Sequence, residues 1–379
     1  MNKFSSVNKA QSFFLTSSIV FIFLMIILRE SILNNIIETT IFNFFILITV
    51  VSLLFFYMKL TEKILIFQFL IIIVLFSTLI NASNIEKGGY VTLFLFFVSL
   101  IMLSFKFVSV DIQKLNKAFL VTSLLFIIVL YTFYFLGIQL IPAHISYILA
   151  GPFVNQNTTS MILLGLFTML VMLNSGSRLA HLLIFVLFIS IFLTQSRAAL
   201  FAALILFLFF YRKKILIFIP FFAILVLVFV SQVGDFSDRL LTKFSEAGTS
   251  HRVEFWLTTF STLADSLESL LFGFGANVYR AELNGSFLSV HNSYVNFIGN
   301  YGLASFTVLV FLLTYILYDA FRYSQLLFVA LLSLLFHGFW ETVLFSGFSM
   351  TWMVFILLYA MREQLSNKRI SSAHFNHTL

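Results

Sequence analysis

Long apolar runs follow one another along almost the whole chain, separated by short polar breaks. They fall near 12–28, 39–58, 64–80, 90–105, 118–136, 159–173, 179–194, 198–211, 215–231, 293–317, 325–340 and 345–361. A membrane span needs about 20 apolar residues, within roughly 17–25. The pattern therefore predicts an all-α, polytopic membrane protein of about twelve transmembrane helices. The one long interruption, 232–292, lies between the ninth and tenth runs and predicts a large extramembrane loop. The chain reads as a single transmembrane domain, 1–379, with that loop as its main polar part.

Composition agrees. Hydrophobic residues make up 61% of the chain and charged ones 10%, with a mean hydropathy of +1.06; a soluble domain carries about 25% charged residues. The 53 Phe residues read as lipid-facing and helix-packing side chains. The net charge of +7 does not point to nucleic acid, because the basic residues stand singly between apolar runs, where they set topology. With no Cys, disulfides, thiolate chemistry and Cys-ligated metals are excluded. Lys3 and Lys9 precede an apolar run from Phe13 to Leu28 without a small-residue cleavage pattern, which reads as an uncleaved first span. If the N-terminus is cytoplasmic, the inner side receives fifteen of the 22 Lys and Arg, Lys106 and Arg362 among them. It receives only four acidic residues, Glu62, Asp111, Asp319 and Glu363. That bias puts both ends in the cytoplasm and the loop 232–292 on the outer face.

Two outer features break the regular pattern. The segment 137–158 carries no charge, and Pro142, Gly151 and Pro152 interrupt helix there. Such backbone at membrane depth is tolerated only against protein or water. The second feature is Thr194 to Arg197, TQSR, between two short runs. The run after it, Ala198 to Tyr211, spans about 21 Å as helix against a hydrocarbon core of roughly 30 Å. Either Arg197 caps a short hairpin at the interface, or it lies in a recessed, hydrated cavity; the second reading is preferred. An Arg there calls for an anionic partner.

Charge, glycine, asparagine and histidine concentrate between Thr249 and Gly302. Thr249 or Ser250 can N-cap a helix to about Leu267, with Val253, Trp256, Phe260, Leu263 and Leu267 on one face. That is an amphipathic helix along the membrane surface or over the bundle. Gly273 to Gly275, GFG, reads as a tight turn, and His291-Asn292 precedes the next span. No Walker A sequence, no metal-binding His pair at helical spacing and no G-x-S-x-G is present, so no cofactor and no metal is expected. The carboxylates Asp235, Asp238, Asp265, Glu268 and Glu282 read as solvated. What remains is basic: Arg197, Arg252 and His291, with Arg280 as a possible fourth. Arginine's planar fork suits phosphate, and histidine is the usual general base near neutral pH. The set suits a reaction on a membrane-anchored phosphate ester. The bland reading pairs Arg252 with Glu246 or Glu254 and makes His291 an interfacial residue.

The segments GPFVNQN (151–157), TQSRAALFAAL (194–204), HRVEFW (251–256), FGFGANVY (272–279) and HNSYVNFIGNYGLASF (291–306) resemble the signatures of the O-antigen polymerase and O-antigen ligase superfamily of bacterial envelope enzymes. The motifs run in the family's order over about 150–306. The resemblance implies a metal-independent, inverting glycosyl transfer on the periplasmic face of the inner membrane, with a glycan on undecaprenyl pyrophosphate as donor. By position, Arg197 and Arg252 would bind the pyrophosphate and His291 would activate the acceptor hydroxyl. Asn157, Gln195 and Asn292 fall in the same motifs and are carried as substrate-binding positions beside Arg280. Gln156 stands where the family more commonly has proline, which weakens the match at Asn157.

Within the superfamily, the Phe and Ile bias tilts the reading to a polymerase of O-antigen repeat units; the alternative is a ligase passing the glycan to lipid A-core. Expected partners are the lipid-linked oligosaccharide, membrane lipids and a chain-length regulator. A transporter or flippase would instead show two similar halves and charges near the midplane; no repeat is visible, and the polar residues cluster on one face.

Overall fold

Backbone amides removed from water must bond within their own segment, and the apolar runs close into helices accordingly. The computed structural model describes residues 5–31, 39–60, 64–81, 87–107, 110–138, 148–153, 155–174, 176–214, 252–275, 281–283, 286–288, 290–345 and 349–366. In chain order the helices are α1 (Ser5–Glu30), α2 (Thr39–Tyr57), α3 (Ile64–Ile80), α4 (Lys87–Leu103), α5 (Ile112–Phe135), α6 (Gln156–Leu173), α7 (Arg178–Leu193) and α8 (Arg197–Phe210). After the segment 215–251 come α9 (Arg252–Ala264), α10 (Leu267–Phe272), α11 (Ser293–Tyr323), α12 (Gln325–Trp340) and α13 (Met350–Ala360). Helices thus occupy eleven of the twelve predicted runs; 215–231 lies outside the described residues. Four are long and apolar enough to cross a membrane, within 13–30, 112–135, 156–173 and 293–323, and seven more are shorter and apolar. The chain is a mostly helical membrane protein.

Several boundaries differ from the apolar pattern for local reasons. Helix α5 begins at Ile112 rather than 118, because the Asp111 carboxylate accepts the amides of Gln113 (3.1 Å) and Lys114 (3.0 Å). Such a cap starts a helix ahead of its apolar stretch. Helix α13 begins late, at Met350, capped by Ser349, because the chain first turns through Phe345, a non-glycine residue at φ 60°. A short antiparallel pair, β1 (Met58–Leu60) with β2 (Phe105–Phe107), sets Lys59 opposite Lys106; the apolar pattern gave no sign of it.

Helix α6 is the central element: Thr159 to Leu173 is buried without a break. Beside it the charge-free segment behaves as irregular backbone must at depth. Ile148, Leu149, Ala150 and Phe153 are buried. The Leu149 amide donates to the Leu193 carbonyl at 3.2 Å, and Thr159 Oγ1 donates to the Ala150 carbonyl at 2.6 Å. Residues 139–147, with Pro142, lie outside the described residues.

Helix α11 kinks at Gly302 (φ 73°), which frees carbonyls of the preceding turn. The GFG motif uses them: Phe274 N–H donates to Gly299 O and Gly275 N–H to Asn300 O, both at 2.9 Å. Ser77 on α3 donates to the carbonyls of Phe272 and Tyr301. The two backbones are so close that a Cβ on Gly302 would lie 2.2 Å from Leu271 O, and one on Gly273 2.6 Å from the Asn300 backbone. The glycines are therefore a docking point between the outer segment and the bundle, more than a turn.

At the far end of α11 lies a buried charge cluster. Arg362 Nε pairs with Asp319 Oδ2 at 3.1 Å, both side chains less than a tenth exposed. Tyr359 Oη donates to Asp319 Oδ2 at 3.0 Å, and the Arg362 guanidinium lies over the Tyr359 ring at 4.2 Å. Nearby Lys106 pairs with Glu363 at 2.8 Å. All four charges were assigned to one side of the membrane by the positive-inside count, and the structure brings them to one end.

Two outcomes follow for stability. Gly302→Ala adds a carbon into the Leu271 backbone at a left-handed position, which costs about 3 kcal/mol or more. The thermal midpoint of detergent-solubilised protein should drop clearly, and an unchanged midpoint contradicts the docking account. Asp319→Ala strands a buried guanidinium, at a cost of about 3–5 kcal/mol. It should lower that midpoint without changing the activity of the molecules that remain folded.

Candidate functional site at one end of the bundle

The site assembles at the end of the bundle opposite the Asp319 cluster, where α12 stops. Its last carbonyls have no helical partner, and Glu341 forms the C-cap. The chain then folds back over Gly338, where a Cβ would meet Leu344 Cδ1 at 2.2 Å. Ser293, the first residue of α11, pins this turn. Its Oγ donates to the Glu341 carbonyl at 2.6 Å and accepts the amides of Val343 (3.0 Å) and Leu344 (2.9 Å). The Glu341 side chain is thereby fixed in place, 9% exposed.

Three of the predicted site residues meet at that carboxylate, and a fourth lies within its electrostatic reach. Arg252 Nη1 donates to the Trp340 carbonyl at 2.7 Å and Nη2 to Glu341 Oε1 at 3.3 Å. The guanidinium thus sits at the negative end of α12. Asn157 Nδ2 donates to the same Oε1 at 3.2 Å. His291 Nδ1 faces Oε2 at 3.5 Å. Arg197 lies within electrostatic reach of both Arg252 and Glu341. Glu341 is an anion whose charge reaches Arg197, alongside the like charge of Arg252. Arg252 pairs with that carboxylate, rather than only with the nearby Glu246 or Glu254 of the bland reading; Glu246 lies outside the described residues.

Each residue is placed by its own element. Arg252 opens α9, and Trp256, one turn on, donates Nε1–H to the Val290 carbonyl at 2.9 Å and packs on Phe339 and Trp340. The four-residue spacing of the R-x-x-x-W motif puts both side chains on the same face. That face differs from the predicted one. Phe255, Thr259 and Leu263 are buried, whereas Val253, Leu257, Phe260 and Leu267 are exposed, and Leu267 belongs to α10. The exposed acidic and polar positions Glu254, Ser261 and Asp265 form a third strip. In a membrane protein an exposed apolar strip can face lipid, so hydrophobicity did not single out the protein-facing side.

Gln195 and His291 both adopt left-handed backbone, at φ 58° and 47°. For non-glycine residues that conformation is strained and persists only where surrounding structure imposes it. Among the described residues only Phe345 shares it. His291 has its Nδ1 buried although 42% of the side chain is exposed. Asn292 is 1% exposed and caps α11, its Oδ1 accepting the amides of Tyr294 (2.9 Å) and Val295 (3.0 Å). Its carbonyl oxygen is thus spent on backbone. Arg197 opens α8, whose N-cap Ser196 makes no side-chain cap bond. The described N-caps of α5, α6, α7, α10, α11, α12 and α13 all make one. The amino end of α8, with its positive dipole, therefore accompanies the arginine without a capping oxygen. Arg280 lies outside the described residues.

Glu341 is the residue that the sequence reading did not single out. It counted only as one of the outer carboxylates, and its partners lie 89 and 184 residues away along the chain.

The matched family model is described as O-antigen ligase and covers residues 182–310. Both arginines, His291 and Asn292 fall inside this stretch, and Asn157 and Glu341 outside it. A search of curated proteins returned no match. The segment 182–310, which carries the two arginines and the histidine, is thus similar to the O-antigen ligase family, within the O-antigen polymerase and O-antigen ligase superfamily.

Proposed function

We propose that this chain polymerises undecaprenyl-pyrophosphate-linked O-antigen repeat units by inverting glycosyl transfer on the periplasmic face of the bacterial inner membrane. In this reading the chain crosses about twelve times with both termini in the cytoplasm. The observation that carries the reading is the convergence of Arg252 and His291 on one carboxylate at one end of the bundle, with Arg197 within electrostatic reach of it.

The chemistry assigns each group a task. The acceptor hydroxyl attacks the anomeric carbon of the donor sugar from the face opposite the pyrophosphate. The new glycosidic bond forms as the bond to the phosphate oxygen breaks, which inverts the anomeric configuration. His291 Nε2 takes the hydroxyl proton. Arg197 and Arg252 neutralise the departing pyrophosphate, aided by the uncapped amino end of α8. The guanidiniums supply the positive charge that the leaving group needs, so the reading assigns no metal. Asn157, Gln195 and Arg280 are proposed contacts to sugar or phosphate.

A ligase that passes the glycan to lipid A-core uses the same donor chemistry, and the description of the matched family model favours it as the second reading. The lipopolysaccharide gel of a deletion strain separates the two. Core bearing a single repeat unit is the expected result for a polymerase. Bare core, with long glycan retained on the lipid carrier, would transfer the assignment to the ligase, and an unchanged ladder would refute both. Arg197→Ala, Arg252→Ala and His291→Ala should each lower transfer by about a hundredfold or more with the protein still in the membrane. Near-normal transfer in all three would sink the enzymatic reading.

A further inference from the structure

A carboxylate is an unexpected centre for a site that binds an anion. Glu341 would repel a pyrophosphate and partly cancels the two guanidiniums that would hold it. It is nevertheless nearly buried and held on three sides: by Arg252 and Asn157 on Oε1 and by His291 facing Oε2. Its backbone is pinned by Ser293. Such a placement calls for a task that a neutral side chain could not perform.

His291 supplies that task. Its left-handed backbone and its helix-capping neighbour Asn292 fix where the ring starts. They leave rotation about the side-chain bonds undecided. The Oε2 oxygen stands opposite the buried Nδ1. At 3.5 Å the two make an ion-pair contact rather than a hydrogen bond, and a carboxylate that near favours the proton on Nδ1, which leaves Nε2 to act as the base.

Resting on the functional reading above, we propose that Glu341 is the positioning residue of this site, with two linked roles. It holds His291 in the tautomer whose Nε2 can take the acceptor proton, and it balances the imidazolium formed when that proton arrives. The proton itself stays on Nε2. Until the donor binds, Glu341 is also the anion on Arg252, in the place that the pyrophosphate then takes.

The two roles predict an unusual pair of changes in one variant. Glu341→Gln keeps the shape and an oxygen that can accept from Arg252 and Asn157, but removes the charge. With lipid-linked oligosaccharide isolated from a deletion strain as donor, kcat should fall roughly tenfold to a hundredfold, part of the 10²–10⁴-fold that a positioned base supplies. The KM for the donor should fall as well. Inorganic pyrophosphate should bind purified Glu341→Gln about tenfold more tightly, the factor that 1.4 kcal/mol of relieved repulsion gives. Glu341→Asp, which restores the charge on a shorter stem, should recover part of kcat and lose the tighter binding.

A structural strut behaves differently: its loss weakens pyrophosphate binding together with kcat, and that result overturns the proposal. An unchanged kcat in Glu341→Gln overturns it too. If wild-type protein transfers nothing from the lipid-linked donor, the functional reading fails. The pyrophosphate comparison still tests the placeholder role on its own.

Discussion

The Glu341 carboxylate organises one end of the helical bundle. Arg252 comes from a helix of the outer segment, Asn157 from the first turn of the buried α6, His291 from the entry to α11 and Arg197 from the start of α8. No two of these elements are joined by a short loop, and two arginines within electrostatic reach of each other repel. A single anion between them makes the cluster stable without substrate. In the proposed reaction a dianionic leaving group takes over the guanidiniums from Oε1, while Oε2 stays with His291.

The scaffold has to hold that cluster against the cost of burial, and it does so with close backbone contacts rather than added charge. The kink at Gly302 opens carbonyls that accept the amides of the GFG turn, and this anchors α10 and with it α9 and Arg252. Trp256 fixes the other side of α9 against Val290 and the end of α12. At the opposite end, the Asp319–Arg362 pair locks α11 to the segment after α13. The long helix α11 is thus tied at both ends, and His291 at its head inherits that rigidity.

Much of the helical framework was legible in the sequence. Apolar runs marked eleven helices because a chain in lipid has few ways to satisfy its backbone. The positive-inside count grouped Lys106, Asp319, Arg362 and Glu363, which the structure brings to one end. The candidate residues were legible too: polarity is costly in such a chain, so Arg197, Arg252 and His291 stood out. Their mutual geometry was not. It depends on Glu341, whose partners are distant in sequence and whose neighbours Trp340 and Thr342 give no local sign. The buried face of α9 was misread because its exposed Val253, Leu257 and Phe260 are as apolar as its buried Phe255 and Leu263. The β1–β2 pair escaped because three residues are too few to show an alternation.

The central claim is that one carboxylate gathers the phosphate-binding and proton-accepting groups into a single site. A cryo-EM structure of the substrate-free protein in lipid nanodiscs, at side-chain resolution, tests it most directly. The account predicts the Glu341 carboxylate within 4 Å of the nearest nitrogen of both Arg252 and His291, as at 3.3 Å and 3.5 Å here. Glu341 turned away from them, with Arg252 and His291 on separate surfaces, would contradict it.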